Sequence, residues 1–285
     1  METSQEGAAL NYMKAEFYSL SHGIGDIPHP VKSSRYIPEW FSSINRSKID
    51  PIHEQLVKKK LQESGMPEEK IQQLRRWMEP YDIHNIPTIK ACPGVIDWLK
   101  CGFIISAWTD FSIKISQDGF EHEVGDSTFK DTCCHMPSEQ FASHTNSAVK
   151  HTLSLYSPWW CKTPPGYSLM QLPLLYHFHP HWSCSAGMLS TDVYHSLNQQ
   201  LLITCSEGSI SIPKGTPLVM YVPFQRGKWE VEVRSPTQEE TENQQKIHKI
   251  SHSGPGKATE MYRKMEKTGS RCPFMKIKNF LSGNS

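Results

Sequence analysis

The sequence predicts a mainly β protein, of α+β type, with an N-terminal helical insertion and a short C-terminal helix. Three observations carry that prediction. Apolar and polar residues alternate in short runs, the two-residue period of a half-buried strand: Phe111, Ile113 and Ile115 alternate with Ser112, Lys114 and Ser116, and Ile210 and Ile212 alternate with serines. Residues suited to turns separate these runs, at Asp118-Gly119, Pro164-Pro165-Gly166 and Pro213-Lys214-Gly215-Thr216. An aromatic share of 10% and 20 prolines favour short strands and fixed turns over long helices.

In chain order, residues 1–13 read as a loose terminus and Lys14–Ser19 as a first strand, with Ala15 and Phe17 on one face and Glu16 and Tyr18 on the other. Pro38 opens a short helical turn that carries Trp40 and Phe41, either a docking patch or local packing of an N-terminal arm. Residues 52–64 and the stretch from Pro67 to Met78 have the features of two helices. In the second, acidic residues stand early and arginines late, as the helix dipole favours. Lys58, Lys59, Lys60, Arg75 and Arg76 form a basic cluster, read as a solvated face or as an anion or nucleic-acid contact. Pro93 suits a first helical position, and Gly102 closes the short helix that follows. Phe103–Trp108 is apolar enough for a buried strand, and Phe120–Val124 returns after the Asp118-Gly119 turn.

Tyr167–Leu172 reads as a strand after the Pro-Pro-Gly turn. Gly187–Phe224 reads as strand, loop, strand, tight turn, strand, then a second turn and a closing apolar run. Lys228–Val233, KWEVEV, alternates strictly and is expected to be a strand. Residues 235–258 are polar and read as a connector, and Thr259–Lys267 as a helix that Thr259 caps. The expected organisation is an arm and helical hairpin at 1–79, a β core at 80–234, and a connector with a helical tail at 235–285.

Composition narrows the function. At 285 residues the chain has material for one large core or two modest ones. A net charge of +1 gives no pull toward nucleic acid or a membrane surface. No apolar run approaches the roughly 18 residues of a membrane span. Eight scattered cysteines without an apolar leader predict reduced thiols in an intracellular setting. The motifs for a phosphate loop, a dinucleotide fold, a zinc protease helix and a nucleophile elbow are all missing.

Two histidine-bearing stretches invite a metal. On an extended strand His177, His179 and His181 would share one face and converge; the alternative, with Pro180 interrupting, is a hydrogen-bonded loop. Cys133-Cys134-His135 with His144 lacks the spaced pair that zinc usually takes. Cys161, beside Lys162, reads either as an activated thiol or as a buried structural one.

Four segments in order, RYIPEWF at Arg35–Phe41, IKACPGVIDWLKCGFIISAW at Ile89–Trp108, SPWWCKTPPGYSLMQLPLL at Ser157–Leu175 and GTPLVMYVPF at Gly215–Phe224, resemble a family of uncharacterised proteins of tailed phages and their marine relatives. That resemblance implies a viral or prophage origin, a place in the host cytoplasm or the virion, and no particular chemistry. A second, local resemblance covers Tyr167–Phe224. There TPPGYSLMQLP, GMLSTDVY and IPKGTPLVMYVPF resemble the dUTPase and dCTP deaminase superfamily, which implies a β-clip core, usually assembled as a trimer. In the hairpin pattern of that family Gly187 matches the glycine, Ser190 stands where the first aspartate belongs, and Asp192 matches the second. Val193 takes the tyrosine position, with Tyr194 one place later. Gly187, Ser190, Asp192 and Tyr194 are thus the ligand-binding residues that the resemblance implies.

A serine hydroxyl at the first position is neither charged nor a comparable base at neutral pH, so Ser190 cannot polarise a water as the carboxylate would. Mg²⁺ with a triphosphate also needs more carboxylates than Asp192 supplies. The expectation is therefore a fold without the catalysis: a non-catalytic viral β protein, a virion component or an accessory that binds a viral partner. One alternative is a nucleotide-binding protein or dUTPase-related hydrolase using Mg²⁺. Another is a metal enzyme with Zn²⁺ or iron on His177, His179 and His181.

Overall fold

The computed structural model describes residues 13–20, 25–49, 55, 59–60, 63–67, 69–70, 72–73, 85–117, 119–137, 148–251 and 257–268. The chain divides into two compact units, residues 1–38 with 101–229 and residues 39–100 with 230–285.

The first unit is mainly β and entirely antiparallel in its pairing. Its strands are β1 (Glu16–Ser19) and β2 (Val31–Lys32). In the second unit β3 (Ser47–Ile49) pairs with β4 (Asn85–Pro87). The first unit resumes with β5 (Phe103–Ser106), β6 (Phe111–Ser116), β7 (Gly119–Val124) and β8 (Cys133–Met136). The long β9 (His151–Lys162), β10 (Tyr167–Pro173), β11 (Trp182–Cys184) and β12 (Gly187–Leu189) follow. Last come β13 (Ser196–Ile203), β14 (Gly208–Ile212) and β15 (Pro217–Gln225). One sheet runs β1-β9-β13-β11, with β8 also on β9; a second runs β12-β10-β15-β5-β2; a third runs β14-β6-β7.

Two antiparallel ribbons bend from one sheet into another. β9 pairs with β13 while β10, its continuation, pairs with β12. The bend lies where Thr163–Gly166 meets Ser190–His195, and the Cys161 N–H donates to the His195 carbonyl across it at 2.8 Å. Likewise β5 pairs with β15 while β6 pairs with β14. At this second bend Ala107 and the Gly215–Thr216 turn exchange two backbone hydrogen bonds of 2.8 Å. A bent ribbon lets a two-residue pattern aim one face inward on both sides of the corner.

That inward face makes the core. Along β6 the residues alternate buried and exposed, as the sequence predicts. Ile105, Leu153, Leu155, Leu169, Leu197, Leu201, Ile203, Leu218, Val219 and Tyr221 are fully buried. Burying each such aliphatic side chain is worth about 1.5–3 kcal/mol, so these residues dominate the stability of the unit. Trp108 and Phe111 meet edge to face, 5.3 Å between ring centres. Phe17 of β1 packs edge-on against Phe103 at 5.5 Å, and with Ala15 it forms the face of that strand that lies on the core.

Turn chemistry follows the sequence closely. The Tyr167 N–H bonds the Pro164 carbonyl at 3.1 Å, with Gly166 at φ 82. That is a type II turn, with proline at its second position and glycine where φ must be positive.

In the second unit Phe41 is buried and meets Trp40 edge-on at 5.7 Å, which supports local packing over an aromatic docking patch. The described residues of the two expected helices at 52–64 and 67–78 are helical, apart from 64–67 at the junction. Pro93–Trp98 is a helix with proline in its first turn. The helix Lys257–Thr268 bonds back onto this region: Arg263 grips the Asp97 carboxylate at 2.6 and 3.1 Å, and Thr259 donates to the Ala91 carbonyl at 2.5 Å. Thr259 is therefore a tether inside the helix rather than its cap.

Three expectations are corrected. Lys228–Val233 pairs with no strand among the described residues and is exposed. A strand needs a partner edge, and alternation does not supply one. Residues 238–251, expected to be connector, form a helix. Its start is a capping box: the Glu240 N–H donates to the Thr237 hydroxyl at 3.2 Å and the Thr237 N–H to the Glu240 carboxylate at 2.8 Å. Finally, His177–His181 is no strand. Leu175–His177 is a 3₁₀ turn, and Phe178 sits in the left-handed region at φ 51.

Candidate functional site

The Gly187–Tyr194 hairpin sits at the bend of the β9-β10/β12-β13 ribbon. Gly187 opens β12 and pairs with Gln171. Ser190 is exposed, and its carbonyl accepts the N–H groups of Val193 and Tyr194 at 3.0 and 2.9 Å. This tight turn throws Val193 and Tyr194 out into solvent. Thr191 points the other way and is fully buried, with its hydroxyl 2.8 Å from that of Thr163. Thr163 has one proton and gives it to the Tyr167 carbonyl, so Thr191 is the donor of the pair.

Asp192 closes the corner. Arg226, just past β15, reaches both of its oxygens at 2.8 and 2.5 Å, and the Gly166 N–H donates to it at 2.9 Å. Arg226 also donates to the Tyr167 carbonyl and to the Ser168 hydroxyl, at 3.1 and 2.6 Å. The Arg226 guanidinium first, and the Gly166 N–H second, hold the Asp192 carboxyl down at about 2, from an ordinary 3.8. A fork-to-fork pair of this kind is the strongest geometry for Arg and carboxylate. It clamps the Pro-Pro-Gly turn, the hairpin and the end of β15 together.

The sign of the pH effect follows. A carboxyl with a lowered folded-state pKa contributes stability in full above its unfolded value, and the contribution disappears as pH falls through the folded value. The wild type should therefore lose stability between pH 3.8 and about 2 through this group. Urea midpoints across that window should fall more steeply for the wild type than for Asp192→Asn. Parallel pH profiles would remove Asp192 from the acid response.

His177, His179 and His181 do not converge. The His177 and His179 rings lie nearly parallel, 6.1 Å apart, and His179 stacks on Trp182 at 4.0 Å. Burial lowers the pKa of both, while hydrogen bonds to the backbone of Tyr36 and of Pro217 act in the opposite direction. His181 is exposed. Among the described residues no group of three His, Cys, Asp or Glu side chains is placed to hold a metal ion.

On β8, Cys133 is half-buried and its thiol is pushed up to about 11 by burial, whereas Cys134 is exposed. His135 stacks on Phe120 at 4.1 Å, and His144 lies outside the described residues. Cys161 is fully buried and its thiol is pushed up to about 12, so it is a structural thiol rather than an activated one. Of the basic cluster, Lys59 and Lys60 are described; both are exposed, and Lys59 pairs with Glu63 at 3.8 Å.

A buried polar chain was not anticipated. The Tyr221 hydroxyl donates to Gln171 Oε1 at 2.8 Å and accepts from Gln199 Nε2 at 2.7 Å, and Gln171 donates on to the Ser185 carbonyl at 3.1 Å. A signal for it exists: Gln199 falls in phase with Leu197, Leu201 and Ile203, and Gln171 with Leu169. Both glutamines sit at inward positions of their strands. The Arg226–Asp192 clamp, by contrast, joins residues 34 apart and leaves no local signal.

Compared with known proteins, the chain matches no family model and no curated protein sequence.

Proposed function

We propose that this chain is a non-catalytic binding protein of viral type, a virion component or an accessory, built on a β-clip body. The clamp on Asp192 carries the reading. The one carboxylate left in the hairpin pattern spends its oxygens on Arg226 and Gly166 of its own chain, with its side chain only 8% exposed. A group engaged in this way is not poised to hold a sugar or a water. The ribbon bent at Thr163–Gly166 and Ser190–His195 supports the β-clip assignment, and the burial of Trp108, Leu155 and Tyr221 leaves the interior to packing.

A nucleotide-binding function is the second reading, and one observation favours it. Tyr194 stands 64% exposed at the rim of the hairpin beside the exposed Ser190, where a base or sugar has room to stack. Thermal unfolding with a panel of deoxynucleoside triphosphates and Mg²⁺ separates the two. A ligand that binds the native state raises Tm by mass action. No rise at millimolar ligand and no release of pyrophosphate are expected; a concentration-dependent rise would replace the first reading with the second.

A further inference from the structure

We infer that the outer face of the β1-β9-β13 sheet binds a neutral oligosaccharide. Across the β9-β13 ladder Ser196 stands opposite Trp160, and Asn198 opposite Tyr156. Leu197, between Ser196 and Asn198, is fully buried, so its two neighbours point outward and their cross-strand partners with them. Tyr18 of β1 stands opposite Trp160 on the other side, with ring centres 6.3 Å apart, and its hydroxyl is fixed by His195 Nδ1 at 2.7 Å. An irregularity in the ladder sets the spacing. β9 advances from Tyr156 to Trp160 while β13 moves only from Asn198 to Ser196. The two aromatic residues therefore face positions about 7 Å apart, where a regular strand would separate them by about 13 Å. Tyr18, Trp160 and Tyr156 make one aromatic platform, with Tyr156 45% exposed and Asn198 exposed beside it.

Charge and hydrogen bonding select the occupant. Thr152–Trp160 and Ser196–Ile203 contain no charged residue. At the margin Lys162 stands opposite Glu16, which Lys14 also pairs at 2.9 Å. Such a face has no surplus cation for the phosphates of a nucleic acid. Its polar groups are nevertheless available: among the described residues the Tyr156 hydroxyl, the Trp160 indole N–H and the Asn198 and Gln200 amides bond to no protein group. An apolar partner would bury them unpaired, at a cost. A neutral sugar offers what the face lacks, a C–H face to stack on an aromatic ring and hydroxyls to pair with amides and an indole N–H. These residues lie outside the Gly187–Tyr194 hairpin, so the inference holds whether or not the hairpin takes a nucleotide.

A glycan array probed with the full chain tests this. Neutral glycans should retain the protein. Calorimetric titration with the best of them should show binding weakened about tenfold by Tyr156→Ala and about fivefold by Asn198→Ala. Both side chains are exposed, so the variants should melt with the wild type. Trp229→Ala removes an exposed aromatic outside this sheet and should bind as the wild type does. Retention by acidic glycans alone or by none, or undiminished affinity of Tyr156→Ala, would overturn the assignment. So would salt-sensitive binding of single-stranded oligo(dT) at this face, or a dimer in sedimentation equilibrium that Tyr156→Ala dissolves.

Discussion

Tyr221→Phe should destabilise the β unit by about 2–4 kcal/mol, although it removes only one oxygen. Tyr221 is fully buried on β15, with Gln171 paired to it on β10 and Phe103 paired to it on β5. Burial pushes its phenol far above the ordinary range, so the hydroxyl stays protonated and can donate. Losing it strands Gln171 Oε1 and a Gln199 N–H in the core. A buried group with no partner costs its desolvation outright, which exceeds the modest net worth of the bond itself. Gln199→Leu should cost less than Tyr221→Phe. It removes a side chain whose Oε1 is already buried without a partner, and it leaves the Tyr221–Gln171 bond intact. Urea unfolding should show this order with unchanged m-values. Equal stability of Tyr221→Phe and wild type would mean that the chain of amides contributes nothing.

Gly102→Ala should be the most damaging single methyl, at about 3–5 kcal/mol. Gly102 sits at φ 76, and a Cβ there would run into the Tyr221 carbonyl. The neighbour is backbone in the middle of a sheet, so it cannot swing away as a side-chain tip would. Gly102 also accepts a hydrogen bond from the Ser33 N–H at 3.2 Å, which ties β2 to the start of β5. Gly94→Ala is the control. No atom lies within 4 Å of a Cβ at Gly94, which stands in the helix Pro93–Trp98, so the change should be neutral or stabilising by up to about 1 kcal/mol. Thermal unfolding of the two variants gives the comparison. A Gly102→Ala protein melting with the wild type would refute the close approach.

Much of the fold was legible because it is local. The alternation in Phe111–Ser116 reappears as a strand with every second residue buried, and Pro164-Pro165-Gly166 is the turn its residues demand. The helix at 238–251 left one local signal that the connector reading passed over, Thr237 and Glu240 three residues apart. Its polar composition hid it: i to i+4 bonding and a capping box can support a helix that offers no apolar face. His177–His181 failed as a strand because the left-handed Phe178 breaks the alternation that would bring three imidazoles to one face.

The sequence by itself determined which segments alternate and where the chain turns. Those properties belong to a few consecutive residues and to their φ, ψ and side-chain chemistry. Tertiary structure alone decided that Asp192 is clamped by Arg226, that Gly102 meets Tyr221, and that KWEVEV has no strand beside it among the described residues. Each of these depends on what a distant segment brings within a few ångströms. A carboxylate is a ligand or a clamp according to its nearest cation, and an alternating segment becomes a strand only when another edge satisfies its backbone.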